Sequence, residues 1–229
     1  MTNNHKETNK KTKKRTPLPS LATLCQELST ELAKHGFSLS AKLAFALATY
    51  LQLLLKWNQV INLCGAKEAN QVISKLIPDS FYLRDFLQSL NLQDNLLIAD
   101  LGAGAGLPGI PLRLGFLQGH YLLMEQREKR VIFLQNVLAT LNLPKTTVIA
   151  GPCQDYFKKK GILADLLLSR AFLPPDQLLP FSRPLLKAGG LLLLLTNNPP
   201  ANWPSFQMLK SQSYQIMGQK RYLTCLKAL

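Results

Sequence analysis

The sequence predicts an α/β fold: a doubly wound, mostly parallel sheet, preceded by a helical region and closed by a C-terminal antiparallel β-hairpin. Three observations carry this. Apolar residues recur at helical spacing through the first part of the chain. From residue 95, short apolar runs of strand length alternate with helical stretches. Glycines gather directly after the first of those runs. Strands buried on both faces read as continuous apolar runs, and their alternation with helices implies βαβ units and a parallel sheet.

The elements follow in order. Residues 1–19 form a basic tail, rich in Lys, Asn and Thr and without apolar periodicity, which is expected to be disordered. Pro17 and Pro19 end it. Ser20 is placed to N-cap a helix with apolar positions Leu21, Leu24, Cys25, Leu28 and Leu32, stopped by Gly36. A second helix runs from about Ser40 to Asn58, with Leu43, Leu47, Tyr50, Leu51 and Leu54 at helical spacing. Residues 67–77 and 79–90 read as two more, with Pro78 between them. The helical region therefore spans residues 20–92 and the α/β domain residues 93–229. In the latter, Leu96–Ala99, residues 120–124, Thr146–Ala150, Leu163–Leu168 and Leu191–Leu195 are strand candidates. A helix is expected from about Arg127 to Leu141. Tyr214–Ile216 and Tyr222–Leu226 pair as a hairpin turning near Gly218.

Composition narrows the partners. The net charge of +14 points to a polyanion, nucleic acid before anionic membrane. The tail supplies part of it through Lys6, Lys10, Lys11, Lys13, Lys14 and Arg15, yet the remainder stays strongly basic. Cys25, Cys64, Cys153 and Cys225 are far apart, and the histidines are His5, His35 and His120, so no zinc or other metal site is expected. Scattered thiols suit a reducing compartment. No apolar signal core follows the basic N-terminus, and the run Leu191–Leu195 is far too short to span a bilayer. A soluble, cytoplasmic, monomeric protein with no membrane partner is expected.

The candidate binding site is the segment Asp100-Leu101-Gly102-Ala103-Gly104-Ala105-Gly106. In an open parallel sheet, ligands sit beyond the carboxyl ends of the strands, where the strand order switches. Glycines at the end of the first strand let backbone approach a ligand and adopt positive φ. Pro108 opens the following helix, whose free N–H groups favour an anionic group. The next strand ends at Glu125, and a carboxylate there accepts hydrogen bonds from both hydroxyls of a ribose. Two cofactors compete. Gly104-x-Gly106-x-x-Gly109 matches the dinucleotide fingerprint. An acid directly before Gly-x-Gly-x-Gly suits S-adenosylmethionine better, because its methionine ammonium needs anionic partners. The helical residues upstream and Pro108 inside the pattern also favour S-adenosylmethionine.

Several segments occur together in a fixed order: Lys56-Trp57-Asn58, Asn62-Leu63, Pro78-Asp79-Ser80, Gly102 through Pro111, Lys129-Arg130-Val131-x-Phe133-Leu134 and Ser169-Arg170-Ala171-Phe172. Over roughly residues 40–195 the chain resembles the bacterial glucose-inhibited-division protein B family, methyltransferases that act on a guanine N7 in small-subunit (16S) ribosomal RNA. The resemblance implies the Rossmann-like fold of S-adenosylmethionine-dependent methyltransferases, with ribosomal RNA or the small ribosomal subunit as partner. It places cofactor contacts on the glycine loop at Gly102 and Leu107, on Glu125, on Cys153 and Gln154, and on Arg170; Asp100 and Gly104 come from the loop itself. Guanine N7 carries a lone pair and no proton, so no general base is expected, and Arg170 is a candidate supporting residue.

The chain departs from the family pattern at three places. Leu76 precedes Pro78-Asp79 where a histidine is usual. Gly151-Pro152 stands for a Ser-Arg, and Thr196-Asn197 for a Lys-Gly. Each departure removes a basic or polar residue from the expected active face. Two other readings stay open at this point: a dinucleotide-dependent oxidoreductase, and an RNA-binding protein that keeps the fold with reduced or lost activity.

Overall fold

The structure is a computed structural model and describes residues 17–66, 68–199, 201, 203 and 205–229. Most of the basic tail, residues 1–16, lies outside the described residues.

The N-terminal helices begin where serines can cap them. The Thr23 N–H donates to Ser20 Oγ at 3.1 Å at the start of α1, Leu21–Lys34, and the Leu43 N–H donates to Ser40 Oγ at 3.3 Å before α2, Ala41–Asn58. Each bond satisfies a donor that the helix cannot. Next come α3, Ala69–Lys75, and α4, Ile77–Gln88. Pro78 does not separate these two as expected. It sits in the first turn of α4, where its missing N–H is not needed, and the break falls at Leu76.

The sheet holds β1 Leu97–Leu101, β2 His120–Glu125, β3 Thr146–Ala150, β4 Ala164–Arg170, β5 Leu186–Thr196, β6 Phe206–Ile216 and β7 Gln219–Ala228. Its order is β3-β2-β1-β4-β5-β7-β6. Strands β1 to β5 are parallel; β7 runs antiparallel to β5, and β6 antiparallel to β7. The helices α5 Gly109–Gly115, α6 Glu128–Leu141, α7 Cys153–Lys160 and α8 Pro175–Ser182 connect the parallel strands.

Alternate strand residues feed two cores, one on each face. Ile98, Leu123, Leu166, Leu168 and Leu193 join α5, α6 and the N-terminal helices in one; Ala99, Leu122, Leu167, Leu192 and Leu194 join α7 and α8 in the other. This double coverage is why the strands are apolar at nearly every position. The helical region thus thickens one outer layer and shares its core with the sheet.

Several elements differ from the spacing. β5 begins five residues earlier than its apolar run, because pairing with β4 passes an irregularity between Ala164 and Leu166 while Lys187–Gly189 stays exposed. β6 is much longer than Tyr214–Ile216; as an edge strand with few buried residues it has no apolar run to announce it. Apolar spacing does not mark α7, which buries only Cys153 and Phe157, or α8, which contains Pro180. Among the described residues, no helix is long and apolar enough to cross a membrane.

Candidate active site

Strand order reverses between β2 and β4 around β1, and the glycine loop leaves β1 at that point. The loop is tied down from three sides. The Ala103 N–H donates to Met124 O at 2.9 Å, the Gly104 N–H donates to Glu125 Oε2 at 2.9 Å, and the buried Tyr50 hydroxyl of α2 donates to Ala105 O at 2.7 Å. Glycine is required at Gly102 for two reasons. Its φ is +67°, and a Cβ there would stand 2.5 Å from the Phe172 ring.

Glu125, at the end of β2, is 4% exposed. Besides holding Gly104 through Oε2, its Oε1 accepts the Arg127 N–H at 2.8 Å, and Arg130 Nη1 lies 3.8 Å from Oε2. A carboxylate offers about four acceptor sites, so capacity for a ligand remains.

A cavity of about 380 Å³ opens beside this carboxylate. Gly102 forms one wall; Met124 to Arg127 with Arg130, Gly151 to Gln154, and Ala171 to Leu173 with Phe181 form the others. Of the residues expected at a cofactor, Gly102, Glu125, Cys153 and Gln154 come together on this wall. Asp100, Gly104, Leu107 and Arg170 are not on it. Gly104 reaches it only through its bond to Glu125, and Leu107 packs against the core. Burial pushes the Cys153 thiol up to about 11, so it stays protonated at neutral pH. Pro152, at one of the departures from the expected pattern, lines this cavity and precedes α7.

Asp100 lies beneath the loop. It is 2% exposed and accepts a hydrogen bond from the Tyr121 hydroxyl at 3.2 Å. Burial raises its carboxyl from 3.8 to about 7, against the pull of that hydrogen bond and of the Arg170 charge. A carboxyl raised in the folded state binds its proton more tightly there than in the unfolded chain. Its contribution to stability is therefore complete below pH 3.8 and is lost as pH rises through about 7. Asp100→Asn should match the parent near pH 4 and become the more stable of the two above pH 7; thermal melts across that range check this, and a constant difference would overturn it.

A second cavity, of about 350 Å³, adjoins the first and shares Ala171 and Leu173 with it. Arg170 lines this one, together with Asp79, Tyr214 and Arg221. Its guanidinium lies 3.0 Å from the Asp79 carboxylate, and its charge also acts on Asp100. Thr196, the other departure at a strand end, also lines this cavity. In the sequence Asp79 stands out only within Pro78-Asp79-Ser80 and Tyr214 only as a hairpin residue, neither with a role at a site, and Arg221 not at all. The available signal was an aspartate in the first turn of a helix whose neighbours are apolar. Trp57 meets the Phe133 ring edge-on, with 5.8 Å between ring centroids.

The profile of the GidB family, rRNA small subunit methyltransferase G, matches residues 44–216. The chain belongs to this family. It is 41% identical over 214 residues to the ribosomal RNA small subunit methyltransferase G of Lawsonia intracellularis, covering 92% of this chain and 98% of the relative. The corresponding protein of Nitratidesulfovibrio vulgaris is 40% identical over 206 residues, covering 89% and 94%. Among solved structures, an O-methyltransferase from Bacillus cereus in complex with SAH superposes with a TM-score of 0.58 at 13% identity, covering 92% of this chain and 100% of that one. A putative O-methyltransferase from Klebsiella pneumoniae gives 0.57 at 13% identity, covering 90% and 99%. These two share the fold, which is that of Rossmann-like methyltransferases.

Proposed function

We propose that this member of the rRNA small subunit methyltransferase G family transfers a methyl group from S-adenosylmethionine to N7 of a guanine in small-subunit (16S) ribosomal RNA. The observation that carries the reading is the Glu125 carboxylate on the wall of the first cavity, hydrogen-bonded to the glycine loop. The residues fit the cofactor. Glu125 keeps acceptor capacity for ribose hydroxyls, the loop leaves no side chain at Gly102, and Cys153 and Gln154 form a neutral wall for an uncharged ring. Gly104 serves from behind, tying the loop to Glu125, Asp100 lies beneath it bonded to Tyr121, and Leu107 anchors its exit into α5. When bound, the cofactor supplies a sulfonium methyl, whose bonding electrons stay with sulfur as the methyl leaves.

The chain's own residues act by placement. N7 presents a lone pair and no proton, so no side chain has to remove one. Position and fixed dipoles then carry the catalysis. The basic surface holds RNA phosphates, and the protein works as a cytoplasmic monomer without a metal.

The test is incubation of the full chain with methyl-labelled S-adenosylmethionine and small-subunit RNA, naked or assembled, from cells lacking this protein. Label at one guanine that becomes cleavable by borohydride and aniline is the expected result. Binding of NAD(P) without binding of S-adenosylhomocysteine, or no incorporation at all, overturns the reading.

A further inference from the structure

The second cavity is organised around one carboxylate of α4 on which three strands converge. Asp79 of α4 is 1% exposed. Its Oδ1 accepts from the Tyr214 hydroxyl of β6 at 2.8 Å, both of its oxygens accept from Arg221 Nη1 of β7 at 2.6 Å, and Arg170 Nη2 at the end of β4 lies 3.0 Å from Oδ2. A carboxylate so engaged has little capacity left for a ligand. What it does is hold two guanidiniums at the cavity wall. Such a buried ionic cluster contributes little to stability over an apolar replacement, so its place beside a cavity points to a use there.

The backbone sorts the side chains between the two cavities. Ala171 adopts a left-handed conformation, φ +52°, and sits on the wall both cavities share. The residue before it, Arg170, lines the second cavity; the residue after it, Phe172, lines the first. Arg170 and Arg221 are the only cations on the second wall among the described residues, and Leu173, Pro175, Leu178 and Leu194 give that wall apolar surface suited to the faces of a planar ring.

We infer that Arg170, held in place by Asp79, reads the O6 atom of the acceptor guanine in this second cavity. The inference rests on the proposed function and deepens it. The edge of guanine that carries N7 carries one other acceptor, O6, whereas adenine has an amino donor at that position. N7 must stay free to receive the methyl group, so discrimination on this edge falls to O6. A guanidinium does not lose its proton and can only donate. It pairs with O6 and is left facing a donor when adenine enters. Asp79 is then a positioning residue, and its charge leaves the cluster with one net positive charge rather than two beside a base that becomes cationic on methylation.

The test uses the full chain and a ligated small-subunit RNA in which the mapped acceptor guanine is replaced by inosine, which keeps N7 and O6, or by 2-aminopurine, which keeps N7 and lacks O6. Inosine should react within about threefold of guanine, and 2-aminopurine about 100-fold more slowly in kcat/KM. In Arg170→Met that preference should collapse to a few-fold, in Arg170→Lys it should partly survive, and in Asp79→Asn it should fall about tenfold. The preference is a ratio of kcat/KM values on two bases for one enzyme, so a change in cofactor affinity or in folded fraction cancels from it. Equal rates on guanine and 2-aminopurine by the unaltered chain, or full retention of the preference in Arg170→Met, overturns this inference alone. No methylation of guanine by the unaltered chain overturns it together with the proposed function. If Asp79→Asn does not fold, the two Arg170 variants and the base analogues still decide the question.

Discussion

Replacing Glu125 with alanine is expected to weaken S-adenosylhomocysteine binding by about 100-fold or more, read by calorimetry. Two kinds of contact are lost at once. The variant no longer offers a charged acceptor to the ligand at the first cavity. It also releases the Gly104 and Arg127 N–H groups that Glu125 holds at 2.9 and 2.8 Å, so the loop loses its tether to β2. Arg130 then stands at the cavity without the carboxylate that balances it. Glu125→Gln separates these effects. It keeps one acceptor oxygen for the loop while losing the charge, and the loss of affinity should be about tenfold. Unchanged affinity in Glu125→Ala would show that the carboxylate does not meet the ligand.

Arg113→Met should lower the stability of the fold by roughly 3–5 kcal/mol, seen as a fall in melting temperature of roughly 8–15 °C. Arg113 of α5 is 0% exposed and has no acidic partner among the described contacts. Its guanidinium is spent on backbone. It donates to Phe116 O and Gln118 O at 2.8 Å, to Pro144 O at 3.0 Å and to Thr146 Oγ1 at 3.1 Å, and its planar group lies 5.4 Å from the Tyr121 ring centroid. These acceptors belong to the turns entering β2 and β3, at the end of the sheet away from both cavities. Methionine fills the volume but leaves buried carbonyls without donors, which costs far more than the contacts themselves. Arg113→Lys should recover little, because one ammonium cannot reach so many acceptors in one plane. Cofactor affinity measured well below the lowered melting temperature should be unaffected.

How much of this was legible in the sequence follows from how far each signal reaches along the chain. Periodicity and capping are local, and they place α1, α2, α6 and β3 within a residue or two of where they lie. The glycine loop and Glu125 were legible for the same reason: a motif at consecutive strand ends needs only the βαβ rule to bring its parts together. Arg170 was not. Its strand-end position is local information, but the direction of its side chain depends on Asp79, which lies in α4, far away along the chain. The pairing of Asp79 with Tyr214 and Arg221 depends on the hairpin crossing to that side of the sheet, and no spacing encodes it. Edge strand β6 was mostly hidden because exposure removes the alternation that marks a strand. Asp100 illustrates a subtler gap. The motif identified it, but only the fold reveals that it is sealed under the loop with Tyr121.

The position of β7 has a consequence in time. It is inserted between β5 and β6, and it carries Arg221. Residues up to Phe181 furnish every wall of the first cavity, while the second lacks Tyr214 and Arg221 until the closing hairpin has been made. Ribosomal synthesis therefore delivers the lining of the first cavity before that of the second is complete. A chain ending before β6 would hold every lining residue of the first cavity and lack two of the second.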